Sequence, residues 1–150
     1  MGTKKLADDL VRKHETRDPF RICEELGILV FYKPLGTIGG VFQNKFRVKI
    51  IFINEILDED VQRFTCAHEL YHALEHTNLN KFFLGRHTNF YMPKFEADAN
   101  KFAVDLLYDD YDLQAYLEFS PEKLANDLSI SYKLAEYRLS TVEPRLLPCW

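Results

Sequence analysis

The segment His68-Glu69-Leu70-Tyr71-His72 holds the residue types and the spacing that most clearly indicate chemistry. Residues four apart lie on one face of an α-helix, so both imidazoles point at a common spot. Two imidazoles on a rigid element suit a tetrahedral zinc ion that keeps an open position for water. Glu69 lies beside them, where it could accept a proton from that water. The spacing therefore predicts a hydrolytic zinc site.

A single helix is predicted to carry this motif, across residues 57–77. Asp58 is a good N-cap, and Glu59 and Asp60 place negative charge in the first turn, where the helix dipole favours it. No glycine or proline interrupts the run between Asp58 and Thr77. The alternative is that the two histidines are ordinary surface or core residues. A position in the middle of a helix, where ligand geometry is rigid, favours a metal site.

A third protein ligand is expected from elsewhere, because catalytic zinc sites commonly keep three protein ligands. A second helix is predicted from Pro93 onward, with alanines on the face that carries Glu96. We predict that Glu96 is the third ligand and that Asn100, one turn later, holds a ligand imidazole by a hydrogen bond. Asp98 is the rival carboxylate. The alternative is that both acids are solvated residues of a first turn.

Together these two segments resemble the ImmA/IrrE family of bacterial and phage zinc metallo-endopeptidases. The resemblance rests on H-E-L-Y-H and on E-A-D-A-N-K-F-A-V-D-L-L at residues 96–107, and it extends from Asp18-Pro19-Phe20 to Arg138-Leu139. It implies one zinc ion per chain. The site residues that it implies are His68, His72 and Glu96 as the ligands and Glu69 as the catalytic carboxylate.

Two positions depart from the pattern of that family. Tyr71 stands where glycine is common, and Tyr108-Asp109-Asp110 follows the second motif where Met-Pro is common. Neither position is a proposed ligand, so the expected effect is on the cleft and on the choice of substrate.

The resemblance also implies a substrate and a way of holding it. The expected activity is cleavage of a helix-turn-helix repressor that belongs to a phage, a mobile element or a stress regulon. Zincin-type peptidases hold the substrate as an added strand at a sheet edge, here a strand among residues 41–53. Two alternatives stay open: a non-catalytic module that sequesters a repressor or binds DNA with a structural metal site, and a toxin or nuclease-like partner.

Composition is that of an ordinary globular chain of 150 residues, with 47% apolar and 28% charged residues, and predicts one domain over residues 1–150. The net charge of −4 argues against direct nucleic-acid binding. No apolar run is long enough to span a membrane and no signal peptide is present, so we expect a cytoplasmic protein. Three cysteines without C-x-x-C spacing predict free thiols, buried at Cys23 and Cys66.

The order of predicted elements indicates an α+β fold, a small zincin-like single domain that is mainly helical, with a three-stranded sheet beside the active-site helix. Before the motif helix, the predicted elements are a helix over Thr3–His14, a helix between Asp18-Pro19 and Gly27, and strands over Ile28–Tyr32, Val41–Gln43 and Arg47–Ile53.

Two further segments attract a functional interpretation. Residues 78–92 are predicted to form a loop over the cleft, where His87 or Tyr91 could donate a hydrogen bond to an oxyanion. Either could instead be a packed or solvated loop residue. Residues 120–140 resemble the helix pair of a helix-turn-helix, but their charges cancel, whereas a recognition helix carries a basic surplus. We therefore interpret this pair as part of the domain.

Overall fold

The computed structural model of the chain describes residues 2–75 and 93–144. Its contacts divide into two compact units, Met1–Leu107 and Tyr108–Trp150. The expectation that residues 1–150 form one domain stays a prediction. The elements of the first unit are α1 (Thr3–His14), α2 (Pro19–Glu25), β1 (Leu29–Lys33), β2 (Gly40–Lys45), β3 (Val48–Asn54), α3 (Glu59–Glu75) and α4 (Pro93–Leu107).

Local signals in the sequence set the ends of the first two helices. Helix α1 covers the predicted residues and ends at Glu15, which adopts a left-handed conformation. The Asp18 side chain accepts a hydrogen bond from the backbone N–H of Phe20 and so caps α2, which Pro19 begins. Gly27, with φ of 75°, turns the chain toward β1. Both predicted helices are confirmed.

The sheet is mixed, in the order β1-β3-β2. β1 runs parallel to β3, whereas β2 pairs antiparallel with β3 through a tight hairpin. The hairpin turn is Phe46-Arg47, and both residues have positive φ, 52° and 66°. This corrects the prediction that the third strand starts at Arg47, because that residue belongs to the turn and β3 begins at Val48. The third of these strands in chain order therefore occupies the centre of the sheet.

The core of the first unit lies between the sheet and the helices. Helix α3 packs on β2 and β3 on one side and on α4 on the other, and α1 covers α4. Fully buried side chains of this core include Ile22, Phe42, Ile51, Ile53, Leu70, Phe102 and Leu106. The unit is mainly helical, and its three-stranded mixed sheet lies beside α3. This arrangement confirms the predicted α+β class.

The thiols of Cys23 and Cys66 are buried in the same core, 3.9 Å apart and unbonded. Contact with Cys23 and burial raise the pKa of the Cys66 thiol. A thiol kept protonated in apolar surroundings is chemically inert. The prediction that these two cysteines are buried free thiols is therefore confirmed, while Cys149 lies outside the described residues.

The second unit consists of short helices around a small apolar cluster and a buried arginine. Its elements are α5 (Asp110–Leu113), a 3₁₀ turn (Gln114–Glu118), α6 (Pro121–Leu128) and α7 (Tyr132–Ser140). The guanidinium of Arg138 is fully buried and donates to the backbone oxygen of Tyr108, to Asp110 Oδ1 and to Thr141 Oγ1, at 2.7–2.9 Å. The helix pair predicted within residues 120–140 is present as α6 and α7. In the part of the chain that the structure describes, no helix is long and apolar enough to cross a bilayer.

Candidate metal centre

Helices α3 and α4 bring His68, His72 and Glu96 together. The Nε2 atom of His72 lies 2.8 Å from Glu96 Oε1, and that of His68 lies 3.2 Å from Glu96 Oε2. One ligand atom from each of the three residues lies within 4.8 Å of the others. The i, i+4 spacing on α3 therefore places both imidazoles against one carboxylate from the neighbouring helix.

Asn100 lies one turn after Glu96 on α4 and contacts the Nδ1 side of the His68 ring. The Nδ1 atom of His68 donates to Asn100 Oδ1 at 2.7 Å. A hydrogen bond at Nδ1 fixes the ring orientation and leaves Nε2 directed at Glu96. Among the described residues, Asp98 is not part of the group that could hold an ion.

The electrostatics of the three side chains follow from this contact. Burial of the Glu96 carboxyl opposes ionisation, but hydrogen bonds from His68 and His72 outweigh it and lower the pKa of Glu96 to about 2. Burial lowers the pKa of His68, but the hydrogen bond to Glu96 and the nearby carboxylates raise it by more. The cluster thus holds an ionised carboxylate that attracts positive charge, whether protons on the imidazoles or a cation.

Glu69 occupies a different environment one residue along α3. Its side chain is 6% exposed, and burial raises its pKa to about 7. Among the described residues, its Oε2 atom has no hydrogen-bond partner. A buried carboxylate with one oxygen unsatisfied is costly for folding, and such groups are typical of reactive sites.

A cavity of about 360 Å³ opens at these residues. It is lined by Ile38, Gly39, Gly40, Phe64, Thr65, His68, Glu69 and Glu96. Gly40 begins β2, and its lack of a side chain allows close packing on α3. A Cβ atom at Gly40 would lie 2.5 Å from Thr65 Cγ2 and 3.3 Å from Glu69 Cγ. Contacts this short do not occur without movement, so glycine at this position sets how closely β2 approaches Glu69.

The sequence motifs did not indicate a role for Gly40 or Thr65. The available signal was a glycine directly before a predicted strand, a position that often marks close approach of another backbone. His87 and Tyr91, the two candidates for stabilising an oxyanion, lie outside the described residues, as does the predicted loop over residues 78–92.

The donor set fits a divalent metal such as zinc. Two imidazole nitrogens and one carboxylate form the three-ligand type of site that leaves a position open for chemistry. The side chain of Glu96 is 43% exposed, so the group opens toward the cavity. His72 is fully buried and His68 is held by Asn100, so both rings are already oriented.

Known proteins are similar to this chain over most of its length. A peptidase family model described as the IrrE N-terminal-like domain matches residues 23–140. "Uncharacterized immunity region protein 2" of Bacillus phage phi105 is 33% identical over 132 residues, which cover 86% of this chain and 84% of that protein. "Metallopeptidase ImmA" of Bacillus subtilis strain 168 is 29% identical over 147 residues, 94% of this chain and 86% of that protein.

A solved structure of a Mycobacterium tuberculosis transcriptional regulator has a similar fold, with a TM-score of 0.59 at 14% sequence identity. The match covers 93% of this chain and 47% of the regulator, so the chain spans about half of that protein's length. At this level of identity the similarity concerns the fold alone.

Proposed function

Because this chain belongs to the ImmA/IrrE family of metallopeptidases, we propose that it is a zinc-dependent endopeptidase. One observation carries the proposal: His68, His72 and Glu96 place one ligand atom each within 4.8 Å of the others, beside a buried carboxylate on the same cavity. Two imidazoles and a carboxylate are a common ligand set of zinc peptidases.

Different residues would bind the metal, transfer the proton and orient a ligand during peptide hydrolysis. His68, His72 and Glu96 would hold the zinc ion, which would supply a Lewis acid for acidifying water and polarising a peptide carbonyl. Glu69 accepts a proton from the attacking water and returns it to the nitrogen of the departing amine. Burial of the Glu69 carboxyl raises its pKa, which makes the carboxylate a stronger base. Asn100 keeps the ring of His68 in its orientation.

We further propose a protein substrate, a helix-turn-helix repressor of a phage, mobile element or stress regulon. The support is the name of one relative, an immunity region protein of a phage, together with the peptidase family of the chain. The cavity, which is open and lies beside an edge strand, suits an extended segment of a protein chain.

The test separates metal binding from chemistry. Purified wild type should contain about one zinc ion per chain, measured by atomic emission, and Glu69→Gln should retain it because Glu69 is not a ligand in this scheme. Each protein is then expressed beside a candidate helix-turn-helix repressor from the same genome, and the repressor is followed by blot. Wild type should remove the repressor, whereas Glu69→Gln should leave it intact, because an amide cannot accept the proton of water.

Equal loss of the repressor with both proteins would contradict the peptidase assignment. A repressor that stays intact with wild type, together with full derepression of its target genes, would support sequestration without cleavage. His72→Ala serves as the control for metal, because removing one of three ligands should lower zinc content and cleavage together.

A further inference from the structure

The free edge of β2 connects the cavity to the hairpin turn. β2 pairs with β3 on one side, and no described residue pairs with its other side. Gly40, the first residue of the strand, lines the cavity next to Glu69. Lys45, the last residue of the strand, precedes the turn of Phe46 and Arg47. An extended peptide that pairs with this edge would therefore run from the catalytic carboxylate toward the turn.

The turn itself has the properties of a contact surface. Phe46 is 94% exposed, although a bulky aromatic side chain is normally buried. Phe46 and Arg47 both have the positive φ that the central residues of a two-residue hairpin require. Lys45 and Arg47 are exposed and make no ion pair with any described residue. All three side chains are therefore exposed together at the end of the hairpin.

The charge around the turn is opposite to that of the whole chain. Residues 29–54 contain no aspartate or glutamate, in a protein whose net charge is −4. Their cations are Lys33, Lys45, Arg47 and Lys49. Lys49 donates to the backbone oxygen of Ala73, and Lys33 lies over the ring of Phe52. Lys45 and Arg47 remain as the two cations of this sheet that are available to a partner.

We propose that Lys45, Phe46 and Arg47 select the substrate by contacting an acidic residue next to an apolar one, away from the scissile bond. This inference rests on the proposed function. Added strands pair antiparallel more often than parallel, so the contacted residues precede the scissile bond. At roughly 3.3 Å per residue, the turn meets substrate positions about five to seven residues before that bond. Oppositely charged side chains at that distance would fix the register of the substrate along β2.

The test is cleavage of a library of long random peptides by the zinc-loaded protein, with the new termini sequenced by mass spectrometry. With wild type, aspartate and glutamate should be enriched roughly threefold at positions about five to seven residues before the cleaved bond. With Lys45→Glu/Arg47→Glu, lysine and arginine should replace them at the same positions. Phe46→Ala should remove the preference for an apolar neighbour.

The matched control is Lys13→Glu/Lys133→Glu, which changes the net charge equally at two exposed lysines on α1 and α7. It should keep the wild-type preference. The same preference in wild type and in the variant of Lys45 and Arg47 would overturn this inference while leaving the peptidase assignment intact. If wild type and Glu69→Gln yield identical fragments, the proposed function fails and this inference fails with it.

Discussion

Among the described residues, two buried polar clusters differ in how completely they are satisfied. In the second unit, the guanidinium of Arg138 is fully buried and donates to three protein acceptors. In the first unit, Glu69 is nearly as buried, yet one of its oxygens has no partner among the described residues. Glu96, beside it, is partly open to a cavity.

The difference separates a polar cluster that stabilises from one that reacts. A buried charge with every hydrogen bond made holds its surroundings in one arrangement. A buried charge left incomplete lowers stability, and its free atoms are available to a ligand. We therefore expect substitutions at Arg138 to change the free energy of unfolding and substitutions around Glu69 to change metal binding or cleavage.

The largest effect is expected from Arg138→Met. This change removes the cation but leaves Asp110 and the backbone oxygen of Tyr108 without their charged donor. The free energy of unfolding should fall by about 3 kcal/mol, the lower end for a broken buried pair, because Asp110 stays partly exposed. Urea denaturation followed by circular dichroism measures it. Lys133→Met, an exposed cation on the same helix, should change stability by less than about 0.5 kcal/mol.

Zinc content should be unchanged in Arg138→Met, because the ligands lie in the first unit. Loss of zinc from the folded variant would contradict the proposal that Arg138 affects stability and not metal binding. Equal stability of Arg138→Met and Lys133→Met would show that the buried cluster does not stabilise the second unit.

A smaller effect is expected from Gly40→Ala, which should change both stability and cleavage. The new methyl group would overlap Thr65 Cγ2 and crowd Glu69. The free energy of unfolding should fall by about 1–3 kcal/mol, or the cleavage rate should fall by an equivalent factor. Gly39→Ala is the matched control, because its Cβ would lie 3.8 Å from Leu57 and Thr65, an ordinary contact. Peptide cleavage and denaturation are measured for each variant.

Adding Thr65→Ser to Gly40→Ala removes the methyl group that causes the shortest overlap. Recovery of cleavage in the double variant would show that Gly40 acts by setting the distance between β2 and α3. An equally large loss in Gly39→Ala would instead indicate a general sensitivity of this turn, and the specific role of Gly40 would be wrong.

The smallest effect is expected from Asn100→Ala, which removes the hydrogen bond to His68 Nδ1 and leaves all three ligands in place. Zinc affinity should fall roughly tenfold, because the imidazole loses part of its orientation. Competition with a chromogenic chelator measures the affinity. Asp98→Ala should have no effect. Weaker binding in Asp98→Ala than in Asn100→Ala would exchange the roles predicted for these two residues of α4.

Much of the fold could be predicted from local signals. Helix α1 covers Thr3–His14 as predicted, and the cap at Asp18 with Pro19 marks the start of α2. The candidate ligands were also accessible, because the i, i+4 spacing of His68 and His72 fixes their relative position on any helix. In both cases the determining interaction lies within a few residues along the chain.

Features that depend on distant contacts could not be predicted in the same way. The close packing of Gly40 on Thr65 depends on which strand lies against α3, which strand periodicity does not specify. The turn at Phe46-Arg47 lacks the Asn-Gly signal that usually marks a two-residue hairpin, so Arg47 was assigned to the strand. Here tertiary structure holds residues in a conformation that their own preferences disfavour.

The strand order has a consequence for synthesis on the ribosome. β3 is made after β1 and β2 and lies between them, so neither β1 nor β2 has a hydrogen-bonding partner in this sheet until β3 emerges. A pause after β2 has left the exit tunnel and before β3 has left it therefore presents two unpaired β-prone segments, the kind of nascent chain that associates with other strands. The sheet can form only once Asn54 has left the exit tunnel, and α3, with its pair of histidines, follows directly behind.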